Sequence, residues 1–202
     1  MKNRLLQYSA ASATGVLAST SAWGNIQYSG LINLSLNFQD GDELYIDIDG
    51  MSTVVQASAP AGADFRLQDY GGDEFDLYRQ SSPGGTVRST GFSIRDFSSG
   101  ETIGVANTFS AGGTFYNGGT FDNSLGQYAG VAFDSGSGIR YGWLQLQFDQ
   151  VANTINLVDF AYDDSGADIA AGAVPEPAHA PVIAALLAGS AAACMRRQQK
   201  KA

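Results

Sequence analysis

The side chains in this sequence able to do chemistry are almost all carboxylates. Twenty Asp and Glu residues stand against one histidine, His179, and one cysteine, Cys194, both near the C-terminus. Residues 25–174 therefore contain no imidazole and no thiol. A Ser–His–Asp or Cys–His unit cannot be assembled there, and zinc would lack its usual nitrogen and sulfur ligands. No glycine-rich phosphate loop opens a helix, which disfavours nucleotide chemistry. What remains is the chemistry of oxygen: hard-cation binding, or hydrolysis by paired acids.

Two acidic groupings bear on cation binding. One is Asp47-Ile48-Asp49-Gly50; the other is Asp73, Glu74 and Asp76, following Gly71-Gly72. Calcium needs several oxygens converging, usually from a glycine-containing loop. Alternation along the first run places Asp47 and Asp49 on one strand face, and no glutamate closes a twelve-residue calcium loop. A solvated acidic surface is the expectation for both groupings. No bound metal or other cofactor is expected, and Asp47, Asp49, Asp73, Glu74 and Asp76 are the candidates against that expectation.

Saccharide binding would use aromatic rings, and Tyr28, Tyr70, Tyr78, Tyr116, Tyr128, Tyr141 and Trp143 are available. Trp143 stands opposite the apolar row Leu144, Leu146 and Phe148, so it is the candidate for an exposed platform. Burial against a second sheet is the competing expectation, and the stronger one, because sandwich strands often bury a Trp. A carboxylate-dependent glycoside hydrolase needs two acids at a set separation, and the sequence singles out no such pair.

The elements that would position these groups read as strands. Ile32, Leu34, Leu36 and Phe38 alternate with polar residues, as do Leu44, Ile46 and Ile48. Shorter runs follow at 65–67, 75–78, 92–94, 103–105 and 131–133. A stronger pair, 141–148 and 154–162, flanks a hairpin turn at 150–153. Turn signals are dense: Gly41-Asp42, Pro83-Gly84-Gly85, Gly112-Gly113, Gly118-Gly119 and Ser135-Gly136-Ser137-Gly138. Helical periodicity is lacking, so residues 25–162 are expected to form one all-β domain, a β-sandwich or jelly roll. Small and polar residues 163–174 read as a linker.

Charge divides the chain. Lys2, Arg4, Arg196, Arg197, Lys200 and Lys201 lie at the two ends, leaving five arginines and no lysine among the twenty acids between Trp23 and Pro177, a formal balance of −15. Such a surface repels nucleic acid and anionic headgroups but accommodates divalent cations.

Both ends read as targeting signals. Residues 1–24 have a basic start, an apolar stretch and small residues that allow cleavage after Ala22 or Gly24, the form of a signal peptide for Sec export. At the other end Val174-Pro175-Glu176-Pro177 precedes the mostly apolar run 178–195 and then Arg196, Arg197, Lys200 and Lys201. The prolines cannot enter a helix interior and keep the backbone around Glu176 extended. Eighteen residues at ~1.5 Å reach about 27 Å, just enough for a hydrocarbon core, and the basic end forms a membrane stop on the cytoplasmic side. Cys194, within the apolar run, reads as a small hydrophobe.

These terminal elements resemble the PEP-CTERM sorting signal of Gram-negative bacteria that make exopolysaccharide. The resemblance implies an exosortase-type protease acting near Pro175, Glu176 and Pro177, transient membrane anchoring through 178–195, and delivery to the cell surface. A looser likeness to a recurrent ectodomain of these sorted proteins rests on Ile26–Leu34, Ile46–Gly50, Ala63–Leu67, Tyr141–Leu146, Val158–Tyr162 and Ala170–Gly172. It implies architecture and location, with no activity attached. The expectation is an exported, non-enzymatic surface or matrix protein, structural or adhesive and associated with exopolysaccharide. A carbohydrate- or calcium-binding module is the alternative, with the hydrolase behind it.

Overall fold

A computed structural model describes residues 26–37, 43–69, 74–80, 83–88, 91–116, 121, 125–149, 151–152 and 154–175. The signal segment 1–24 lies outside the described residues, as do Glu176, Pro177, the span 178–195 and the basic stop. Among the described residues no helix is long and apolar enough to cross a membrane.

Among the described residues fifteen strands form antiparallel sheets. The larger, eight-stranded sheet centres on β12 (Gln127–Asp134), β13 (Ile139–Asp149) and β14 (Thr154–Asp163). Outside β14 lie β1 (Ile26–Tyr28) and β2 (Leu34–Asn37); outside β12 lie β7 (Gly84–Val87), β8 (Asp96–Ser98) and, beyond β7, β10 (Phe109–Ser110). The five-stranded sheet runs in the order β11 (Gly112–Tyr116), β6 (Glu74–Arg79), β5 (Phe65–Asp69), β3 (Glu43–Asp47), β4 (Ser52–Gln56). A third, small sheet pairs β9 (Thr102–Ile103) with β15 (Ile169–Ala170).

Alternation explains how the two large sheets share a core. Leu44 and Ile46, Phe65 and Leu67, and Phe75 and Leu77 leave one face of the smaller sheet. They meet Leu144, Leu146 and Phe148 of β13 and Ile155, Leu157 and Phe160 of β14. Phe75 and Phe148 touch edge-to-face across the interface at 5.8 Å.

One irregularity sets which side chains reach that core. Leu144 pairs with Phe160 and Leu146 with Leu157, so β14 carries one extra residue opposite the Gln145–Leu146 step. This bulge returns Phe160 and Tyr162 to the inner face, where strict alternation from Leu157 would turn them outward. The neighbouring strand breaks at the same level. Between β1 and β2, Gly30 and Asn33 have positive φ (73° and 50°), and the amides of Ile32 and Asn33 both donate to Val158 O.

The linker expected at 163–174 is instead part of the fold. The outer face of the larger sheet carries a second apolar cluster: Val87, Phe97, Ile103, Tyr128, Trp143 and Ala161, closed by Ile169 and Ala171. Ile169 pairs with Ile103, the Ala171 amide donates to Glu101 O, and the Gly100 amide donates to Ala171 O. Asp168 Oδ1 accepts from the Val105 amide at 2.9 Å. Small residues suit this segment where it packs closest: Ala171 is buried, and a Cβ at Gly172 would lie 2.7 Å from the Tyr128 hydroxyl; composition alone suggests a loose connection. The run expected as a strand at 92–94 is reduced to isolated bridges at Ser93 and Ile94.

Candidate metal centre

The β3–β4 hairpin brings carboxylates together in a way alternation does not predict. β3 ends at Asp47, so Asp49 stands in the turn and not on the strand face. The turn closes with the Met51 amide donating to Ile48 O and Met51 at φ 51°. The Gly50 amide donates to Asp47 Oδ1 at 2.7 Å, bending that carboxylate over the turn. A Cβ at Gly50 would lie 2.5 Å from Asp47 Oδ2, so a larger residue there would push the carboxylate off the turn.

The third acid is Asp64. β5 begins directly after it and pairs with β3, Phe65 opposite Ile46, which carries Asp64 to the end of the hairpin. Its amide donates to Ile46 O, and its Oδ2 accepts from the Ile48 amide at 2.8 Å. Asp47, Asp49 and Asp64 each offer an oxygen within 4.8 Å of the others. Two oxygens on one calcium, each at ~2.4 Å, lie no more than about 4.8 Å apart, so this spacing fits a single hard cation.

The electrostatics point the same way. Burial pushes the Asp64 carboxyl up to about 7; the Ile48 amide opposes this, and the charges of Asp49 and Asp47 add to it. Asp49 is also raised, by burial first and then by its hydrogen bond to Asp47 and that residue's charge. Three acids crowded at one turn need protons or a cation to offset their repulsion. With oxygen donors only, the set suits calcium better than zinc or copper.

The second acidic grouping is described only in part. Asp73 lies outside the described residues, as does the side chain of Glu74. Asp76, 2% exposed on β6, belongs to a different network, with Thr114, Gln68 and Tyr78 as hydrogen-bond partners, and burial raises it above the usual carboxylate range. Asp64 is not legible as a ligand from sequence because it lies beyond an uncharged stretch, 51–62. The signal available was an acid immediately before the Phe65-Arg66-Leu67 alternation, where a returning strand must start.

Trp143 cannot serve as an exposed platform: it is 1% exposed. Tyr128 packs edge-on against it at 5.2 Å and Tyr28 lies tilted at 6.3 Å. Its face of the sheet is covered by the β9–β15 segment, and among the described residues its Nε1 has no hydrogen-bond partner. Beside it Tyr28 donates to the buried Asp159 Oδ2 at 2.7 Å. With its amide oriented to satisfy both contacts, Gln145 donates to Asp159 Oδ1 at 2.9 Å and accepts from the Gly126 amide at 3.0 Å. Of the remaining rings, Tyr141 is half-buried and stacks on Phe109 at 5.6 Å, while Tyr70 and the Tyr116 side chain lie outside the described residues.

Comparison with protein-family models, curated proteins and solved structures returns no match.

Proposed function

We propose that this chain is an exported, non-enzymatic protein of the cell surface or extracellular matrix, structural or adhesive, working in contact with exopolysaccharide. The observation that carries the reading is the order Pro175-Glu176-Pro177, apolar run 178–195, and Arg196, Arg197, Lys200, Lys201. In this account the Sec machinery exports the chain, the apolar run holds it in the inner membrane, and an exosortase-type protease releases it. The two large sheets are then the layers of a jelly-roll-like β-sandwich ectodomain. Two further features support the reading: an acidic middle segment suited to the outside of the cell, and a domain built without cysteine or histidine. The test is deletion of residues 175–202 in the native host. Surface display should be lost while the deleted form still leaves the cytoplasm; unchanged display would remove the sorting signal from the account.

A second reading, calcium binding by the ectodomain, is favoured by the convergence of Asp47, Asp49 and Asp64. Extracellular calcium modules work at ~10⁻⁴–10⁻³ M, a range that three carboxylates, two from one hairpin and one from the start of the next strand, can serve. Calcium at millimolar concentration should raise Tm at pH 8, and Asp64→Asn should abolish the rise while keeping the Ile48 amide partnered. Equal Tm in calcium and in chelator would end this reading and leave the first intact.

A further inference from the structure

The sheet edges of this molecule are unequal. On the five-stranded sheet, the β11 edge is covered: Thr114 exchanges backbone hydrogen bonds with Phe92 and Ile94, and Arg88 Nε donates to Gly112 O at 2.6 Å. On the larger sheet, the β1–β2 edge is broken at Gly30 and Asn33, and β10 is two residues long. Kinks, short strands and covering segments are how proteins stop sheets from adding strands.

Among the described residues β4 has none of these. Ser52-Thr53-Val54-Val55-Gln56 is regular, without proline or charge, and among the described residues it pairs with β3 alone. Val54 and Val55 are each 37% exposed. Alternate residues of such a strand direct N–H and C=O away from the sheet, a template for one more strand.

We propose that β4 is a self-association edge, at which two copies pair antiparallel about a two-fold axis through Val54 and join their five-stranded sheets. Charge is the argument for a second copy as occupant. In this register Ser52 of each copy faces Gln56 of the other, Thr53 faces Val55, and the two Val54 side chains meet, so no charged pair is opposed. The acidic turn, Asp47 to Asp49, lies just beyond Ser52, beside the uncharged end of the partner's β4 at Gln56 and Ala57. The two Ser52 residues stand four positions apart along the pair, about 13 Å, and the acidic turns lie further out, beyond a Debye length of ~8 Å. A chain whose middle segment carries −15 thus presents one edge on which a copy of itself meets no close repulsion. Five residue pairs bury a small area, so the contact is weak in dilute solution and gains strength where copies are concentrated.

The test uses the full chain in mild detergent with Cys194→Ser, which removes the single native thiol. Under mild oxidation Val54→Cys should form a disulfide-linked dimer several-fold more readily than Val105→Cys, a control at an exposed turn residue. Ser52→Cys alone should cross-link poorly, but an equal mixture of Ser52→Cys and Gln56→Cys chains should cross-link as mixed dimers. Val54→Lys, in the chain with Cys194 intact, should weaken association at least ten-fold by sedimentation with the melting curve kept. Cross-linking of Val54→Cys no better than that of Val105→Cys would overturn the proposal. So would efficient Ser52→Cys homodimers, which require another register. A monomer whose Val54→Cys thiol is shielded from reagents would assign the edge to a different strand and would equally overturn it.

Discussion

Asp159 shows how one buried acid links sequence to solution behaviour. At 6% exposure it is held by Tyr28 and Gln145 beside Trp143, and burial raises its pKa while the Tyr28 hydrogen bond opposes the rise. The folded state therefore keeps this proton more tightly than the unfolded chain. Its contribution is complete below the ordinary carboxylate pKa and is lost as pH rises through the higher folded value. Asp159→Asn should flatten that part of the Tm-against-pH curve, and Tyr28 can still donate to the amide oxygen. Tyr28 itself is pushed up to about 12, by burial first and then by Asp159. Removing its hydroxyl in Tyr28→Phe leaves Asp159 Oδ2 without that donor, at a cost of about 1–3 kcal/mol in denaturant unfolding. Trp143 gives a sharper optical check. In a Trp23→Phe background its fluorescence should be blue-shifted, poorly quenched by iodide, and unchanged by added saccharides. Red emission that shifts with sugar would restore the platform that its burial removes.

At the level of strands, the long alternating runs were legible and the glycine-rich ones were not. The β13–β14 hairpin follows from Leu144, Leu146 and Phe148 answered by Ile155 and Leu157, with Asp149 Oδ1 accepting the Val151 and Ala152 amides in the turn. β7 gave no such pattern, because Gly84 and Gly85 stand there for a different reason. Both have φ near 140°, and a Cβ at Gly85 would lie 1.8 Å from Ser110 O. Backbone, not side chain, fills that space, and periodicity cannot register an absent side chain. Gly85→Ala should therefore cost about 1–3 kcal/mol or more by forcing β7 and β10 apart. β15 was hidden for a related reason: Ile169 is one large apolar residue among small ones, and its partner β9 is more than sixty residues away. Ile169→Ala should cost about 2–5 kcal/mol, as for a buried core position, where a linker residue would cost almost nothing. The candidate metal centre was half legible on the same grounds. Asp47 and Asp49 are two positions apart in sequence, whereas Asp64 joins them only through the return of β4 and β5.

For the molecule as a whole, the two large sheets with the small one behind them form a body that continues to the start of the Pro175-Glu176-Pro177 run. Ala173 donates its amide to Ala170 O and packs against the outer apolar cluster, and Pro175 follows two residues later. A protease acting at Pro175–Pro177 would therefore work close against folded structure, and the released protein would carry almost no tail. The acidic exterior, the cation-sized gap among three carboxylates and the open β4 edge are all compatible with a protein that works at high density outside the cell. Each can fail separately without removing the others. The measurement that bears most directly on the central claim is the mass of the mature chain isolated from the native host. The account predicts a protein beginning near Trp23 or Asn25 and ending near Pro175–Pro177. A chain that retains both terminal segments and is recovered from the cytoplasm would contradict it.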